Sequence, residues 1–276
     1  MPELPPAAWT ASRPLPDYRA LLAVDAQGFT AMPAIQHAAV SQLIPALVDE
    51  SLTAAGLDDL KDTKAFPANT GDGVVFGFPP ARLPFAVWPF LDVLNGVLGA
   101  YNVQCAGPRI RLRVALHVGP LPDTGDPGDG NGTPRTDTHR LLDSRPAKEF
   151  LARACAETTH LVAILSHRVY EDVVLAGYSG LHPRRCVEVT AAVTGKNFAQ
   201  RAWLYIPSPS AELLDPSVSH HGTEVPRAAP GAATGCDSRQ GVAQRVVTGV
   251  AFVGDVGRDL HSSVATARLA AGEARE

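Results

Sequence analysis

The sequence is poor in several features that define whole protein classes. Its four cysteines, Cys105, Cys155, Cys186 and Cys236, stand far apart with no CxxC pair. That spacing argues against a zinc site and a disulfide scaffold, and predicts reduced, buried thiols. No apolar run reaches the roughly 18–20 residues that a bilayer-spanning helix needs. The N-terminal MPELPPAAWTASRPLP has neither a basic leader nor a continuous apolar stretch, so it does not read as a secretory signal. A soluble, cytoplasmic protein without a membrane partner is expected. An excess of positive charge is also lacking: charged residues are an ordinary 19% of the chain and the net charge is −4, which gives no electrostatic reason to expect a nucleic-acid partner. The phosphate-loop, serine-hydrolase and zinc-protease signatures GxxxxGK[ST], GxSxG and HExxH are all missing.

What is present is a chain of 276 residues, 45% hydrophobic, long enough for one well-packed domain with appendages. Residues 1–17 are proline-rich and read as a loose leader. A buried-type strand, RALLAVD (19–25), precedes an amphipathic helix over 35–55, in which Pro45 should cause a bend or a break. KAFPAN (64–69) and GVVFGF (73–78) flank a Gly-Asp-Gly turn and predict a hairpin. A helix over 83–101 and a half-buried strand RIRLRVALHVG (109–119) follow, with Arg109, Arg111 and Arg113 forming a solvated or interface face. Residues 120–135 are dense in Gly, Pro and Asp and must form a loop. Helical pattern over 136–155, broken or kinked at Pro146, leads to strands at 160–166, 186–190 and 201–207, with a short helix after the first.

Residues 208–276 turn small, polar and rich in Pro and Gly, as a linker or low-complexity tail does. Within that tail, QRVVTGVAFVGDVGRDL alternates weakly and is a possible protein-partner segment. Three regions are expected: a leader (1–17), a folded domain (18–207) and the tail. The order of elements in the domain predicts an α+β fold of ferredoxin-like type, a mostly antiparallel sheet with helices on one face.

Two carboxylates fall at strand ends. Asp25 closes the first strand, and Asp72 sits at the hairpin tip; in a ferredoxin-like sheet these ends are neighbours. Two aspartates side by side repel unless a divalent cation lies between them. Mg²⁺ takes one or two carboxylates and completes its shell with water and phosphate. Equally, Asp25 could cap the following helix and Asp72 could serve the turn alone.

The segments LLAVDAQGFT, NTGDGVVFGF and LRVALHVGPL, in that order, resemble the class III adenylate/guanylate cyclase catalytic domain over residues 18–207. The resemblance implies a nucleotidyl cyclase that converts a nucleoside triphosphate into a 3′,5′-cyclic nucleotide and pyrophosphate. It implies two Mg²⁺ or Mn²⁺ ions held by Asp25 and Asp72 with the Ala26 carbonyl, and a homodimer whose second chain supplies the transition-state groups. Arg140 falls on the family's arginine position, Thr136 on its asparagine position and Lys196 on a triphosphate-binding lysine. His117 matches the family strand and reads equally as a packed strand histidine. At the base-recognition positions stand Ala68, where ATP users carry lysine, and Asp129, so the resemblance leaves the base open. The competing expectation is a catalytically inactive module of the same fold, used for dimerisation, nucleotide sensing or regulation.

Overall fold

The computed structural model describes residues 7–126 and 128–214. Expectations for residues 1–6 and for 215–276, including the alternating segment in the tail, lie outside the described residues.

Strand β1 (Tyr18–Ala26) is buried from Ala20 onward on both faces, which explains why its sequence is a continuous apolar run. It is flanked antiparallel by β3 (Gly73–Phe78) and by β4 (Leu112–Pro120). Strand β2 (Ala65–Asn69) pairs with β3 as the expected hairpin, with a register shift between Ala65 and Ala68. These four strands have the ferredoxin-like order β2-β3-β1-β4. Strand β5 (Leu161–Ser166) is added parallel to β4, and β7 (Ala199–Tyr205) and β6 (Cys186–Ala192) complete the seven-stranded order β2-β3-β1-β4-β5-β7-β6.

Helices cover both faces of the sheet, not one. Ala20, Leu22 and Val24 of β1 face α1 (Ala34–Ala54), whose Val40, Ile44, Leu47, Val48 and Leu52 recur at helical spacing. A short α2 (Asp58–Asp62) follows. Ala23, Val75 and Ala115, one residue out of phase, face α5 (Thr133–Leu142) and α6 (Arg145–Arg153) through Leu141, Leu142, Ala147 and Leu151. The opposite face was hidden in the sequence because β1, β3 and β5 are near-continuous apolar runs that show no alternation.

The prolines divide the remaining helices differently from expectation. Helix α1 runs through Pro45 without interruption. The stretch over 83–101 is two helices, α3 (Leu83–Val87) and α4 (Phe90–Gln104), separated by Trp88 and Pro89. Pro146 lies in the first turn of α6, where a missing N–H costs nothing, and so separates α5 from α6. Strand β4 begins at Leu112, so Arg109 and Arg111 precede it. A short turn α7 (His167–Val169) follows β5, and α8 (Ala211–Leu214) closes the described chain. The segment after β7, expected to begin the tail, is docked at its start: Thr159 Oγ1 donates to the Ser208 carbonyl at 2.7 Å, and the Cys155 N–H donates to Ser210 Oγ at 3.0 Å. Of the cysteines, Cys186 is buried while Cys105 and Cys155 are half-buried, all three free. Among the described residues, no single helix is long and apolar enough to cross a membrane.

Candidate active site

The hairpin tip is driven against the end of β1 by one glycine. Gly73 pairs with Asp25, and a Cβ on Gly73 would lie 1.8 Å from the Val24 carbonyl oxygen and 2.9 Å from the Asp25 Cα. Only glycine allows this approach. The Ala26 N–H donates to the Asp72 carbonyl at 2.8 Å and fastens the turn in place. Gly71 adopts φ 91°, and its N–H donates to Asn69 Oδ1 at 2.7 Å. Asn69 therefore does the turn's side-chain work, while among the described residues the Asp72 carboxylate receives only the Thr70 hydroxyl, at 3.2 Å on Oδ1. Gly73→Ala is expected to destabilise the domain by about 2–4 kcal/mol, because the backbone it meets cannot yield. Urea unfolding measures this; a change below about 0.5 kcal/mol would contradict the close approach.

Asp25 caps no helix. Its carboxylate takes a bidentate grip from Arg113, with Nε to Oδ1 at 2.8 Å and Nη2 to Oδ2 at 2.6 Å. Both side chains are 12% exposed. Burial pushes the Asp25 carboxyl above its ordinary pKa, Arg113 pulls it back through its hydrogen bond and charge, and the charges of Asp72 and Asp143 raise it again; the net direction is up. Burial thus outweighs the compensation that Arg113 provides.

Asp25 and Asp72 line one cleft of about 170 Å³ with Val24, Thr70, His139, Leu142 and Asp143. Among the described residues, no three His, Cys, Asp or Glu side chains converge to form a closed cation cage. Two carboxylates on one open cleft, one of them partly unsatisfied, fit Mg²⁺ or Mn²⁺ ions that keep water and phosphate ligands.

The other predicted residues are elsewhere. Arg140 does not line the cleft; its Nη1 donates to Asp137 at 3.3 Å and its guanidinium lies 5.6 Å from the centre of the Phe198 ring. Thr136 is exposed on the first turn of α5, its hydroxyl donating to the Gly132 carbonyl at 3.3 Å. Lys196 is exposed in the β6–β7 turn. Ala68 packs on the α5/α6 side of the sheet. The Asp129 carboxylate is committed to its own loop: a desolvation cost is outweighed by N–H bonds from Gly125, Thr124 and Asp126, which hold its pKa low.

His117 is a packed strand histidine on the α5 side of β4, with a buried Nδ1 that has no partner among the described residues. Burial lowers its pKa to about 4, against an upward pull from Asp137 and a further downward push from Arg168. The fold is therefore expected to lose stability as pH falls from about 6.5 towards about 4, where a ring neutral in the folded state must charge. An NMR titration of His117 with a midpoint near 6.5 would contradict this.

The arginine face corrects the sequence reading most. Only Arg109 is largely solvated. Arg111 donates to the carbonyls of Thr159, Leu151 and Ala154 and to Gln27, and Arg113 holds Asp25. The available signal was that Arg113 and Asp25 each stand at an end of adjacent strands.

Fold and cleft together define a class: an α+β domain with a ferredoxin-like core sheet and an acidic cleft between the end of its first strand and a glycine-bounded hairpin turn. No family model matches the sequence, and no curated protein matches it. Solved structures of similar fold include the guanylyl cyclase Cya2, at 15% identity and a TM-score of 0.47 over 71% of this chain and 94% of that one. Another is an adenylate/guanylate cyclase/hydrolase from Silicibacter pomeroyi, at 16% identity and 0.46 over 69% and 97%. A bacterial light-regulated adenylyl cyclase is similar at 12% identity and 0.49, covering 74% of this chain and 56% of that one. At such identities the likeness is one of fold.

Proposed function

We propose that this chain is a nucleotidyl cyclase acting on a nucleoside triphosphate. The observation that carries the proposal is the forced approach of the Asp72 turn to Asp25, which keeps two carboxylates in one cleft despite their repulsion. In the reaction the ribose 3′-oxygen attacks the α-phosphorus, and the bond to pyrophosphate breaks. Bound Mg²⁺ or Mn²⁺ supplies neutralisation of phosphate charge and acidifies the 3′-hydroxyl. Asp25 and Asp72 hold the ions, and Arg113 keeps the Asp25 carboxylate in one orientation. Arg140 and Lys196, which do not line their own chain's cleft, serve the cleft of a second copy in a homodimer. There the Arg140 guanidinium offsets charge growing on the α-phosphate and Lys196 meets the triphosphate. In this reading Thr136 hydrogen-bonds the same substrate from the second copy, and Ala68 leaves the base contact on β2 without a polar group.

The test is incubation of the full chain with each of the four nucleoside triphosphates and Mn²⁺, following cyclic product and pyrophosphate. Product from at least one nucleotide is expected. None from any of them would overturn the proposal.

A further inference from the structure

A second cavity, of about 340 Å³, opens between the last turn of α4, the segment before β4 and the turn before β5. Asn102, Val103, Arg109, Glu157 and His160 line it, and none of them lines the Asp25–Asp72 cleft. His160 is only 9% exposed. Gly99 makes room for its ring, since a Cβ there would lie 3.3 Å from the ring's Cδ2.

Hydrogen bonding fixes which nitrogen of His160 carries the proton. Asn102 Oδ1 accepts from the Ile110 N–H at 2.7 Å, and Asn102 Nδ2 donates to the Ile110 carbonyl at 2.8 Å. A backbone N–H can only donate and a carbonyl can only accept, so the amide has one orientation. The same Nδ2 lies 3.2 Å from His160 Nδ1. An amide nitrogen only donates, so Nδ1 is the acceptor and the proton of the neutral ring is on Nε2. Burial, then the charges of Arg111 and Arg109, hold the ring's pKa below its ordinary value. Among the described residues, the Nε2–H is thus a donor without an acceptor.

Arg109 is in the same condition. Its side chain is 53% exposed and, among the described residues, makes no hydrogen bond; the acid paired with it, Glu157, is 3.7 Å away and 75% exposed. That distance is too long for a hydrogen bond. Val103, 87% exposed, adds an apolar wall.

We infer that this cavity binds a small organic carboxylate, which accepts from the Arg109 fork and from His160 Nε2–H and rests its apolar part on Val103. A planar carboxylate matches the guanidinium's paired donors. Glu157 is a weak internal competitor for the same fork. The inference is independent of the cyclase proposal.

The test is a histidine ¹⁵N–¹H NMR titration of the full chain with acetate, at ionic strength held constant with chloride. The free protein is expected to show the Nε2–H tautomer for His160, and acetate to shift that signal saturably. Arg109→Gln, at an exposed position, is expected to weaken acetate binding at least about tenfold. Glu157→Gln is expected to tighten it. An Nδ1–H tautomer, a shift that does not saturate, unchanged affinity in either variant, or equal binding of inorganic phosphate would each overturn the inference.

Discussion

Asp72→Ala is expected to lower cyclic-nucleotide formation by at least ~100-fold, about 2.7 kcal/mol of transition-state stabilisation. The melting temperature should move by no more than roughly 2 °C. The separation of these effects follows from the turn. Its conformation rests on Gly71, on the Asn69 side chain and on the Ala26 N–H bonded to the Asp72 backbone, none of which needs the Asp72 carboxylate. Removing that carboxylate therefore deletes the proposed cation ligand and leaves the hairpin standing. Isothermal titration with Mn²⁺ gives a second reading, in which the variant should lose heat of binding at the cleft. A variant that makes as much product as the parent protein would remove Asp72 from the site, whatever the activity of the chain.

Arg113→Met is expected to cost about 3–5 kcal/mol at neutral pH, the penalty for leaving one member of a buried ion pair uncompensated. The sign of its pH dependence is a sharper test than its size. Asp25 already titrates above its ordinary value in the folded state, chiefly through burial, and without Arg113 it rises further. A carboxyl whose folded pKa exceeds its unfolded pKa costs nothing below the unfolded value. It destabilises increasingly as pH rises through the folded one. The deficit of the variant should therefore be small near pH 4 and largest at pH 7 in urea unfolding, and Asp25→Asn in the same chain should restore much of it. A deficit equal at both pH values would mean that Arg113 contributes by packing and not by its charge.

Much of the framework was legible because local signals agreed. The hairpin was marked by its Gly-Asp-Gly turn, α1 by helical spacing, and the strand–helix order pointed to a ferredoxin-like sheet. Legibility failed where burial was two-sided. Ala23, Val75 and Ala115 look like any apolar residues in a run, so the layer formed by α5 and α6 could not be seen beneath them. The same cause hid Arg111 and Arg113, since basic residues alternating with apolar ones normally mark a wet face; here that face is occupied by Asp25 and by the carbonyls around α6. In the site, the adjacency of Asp25 and Asp72 was readable from strand ends. The presence of His139 and Asp143 in the same cleft was not, because it depends on where α5 crosses the sheet.

The docking of the segment after β7 sets where the domain can be cut. Thr159 Oγ1 bonds Ser208 and accepts from the Ser210 N–H at 3.1 Å, Asn95 Nδ2 donates to Ser208 Oγ at 3.0 Å, and the Cys155 N–H depends on Ser210 Oγ. A protease that nicks at Pro207 would strip partners from groups in α4 and in the approach to β5, each left at a cost of about 1–3 kcal/mol. The shortest fragment that keeps these groups satisfied ends at Ser210, so the domain's structural residues continue past the sheet's last strand.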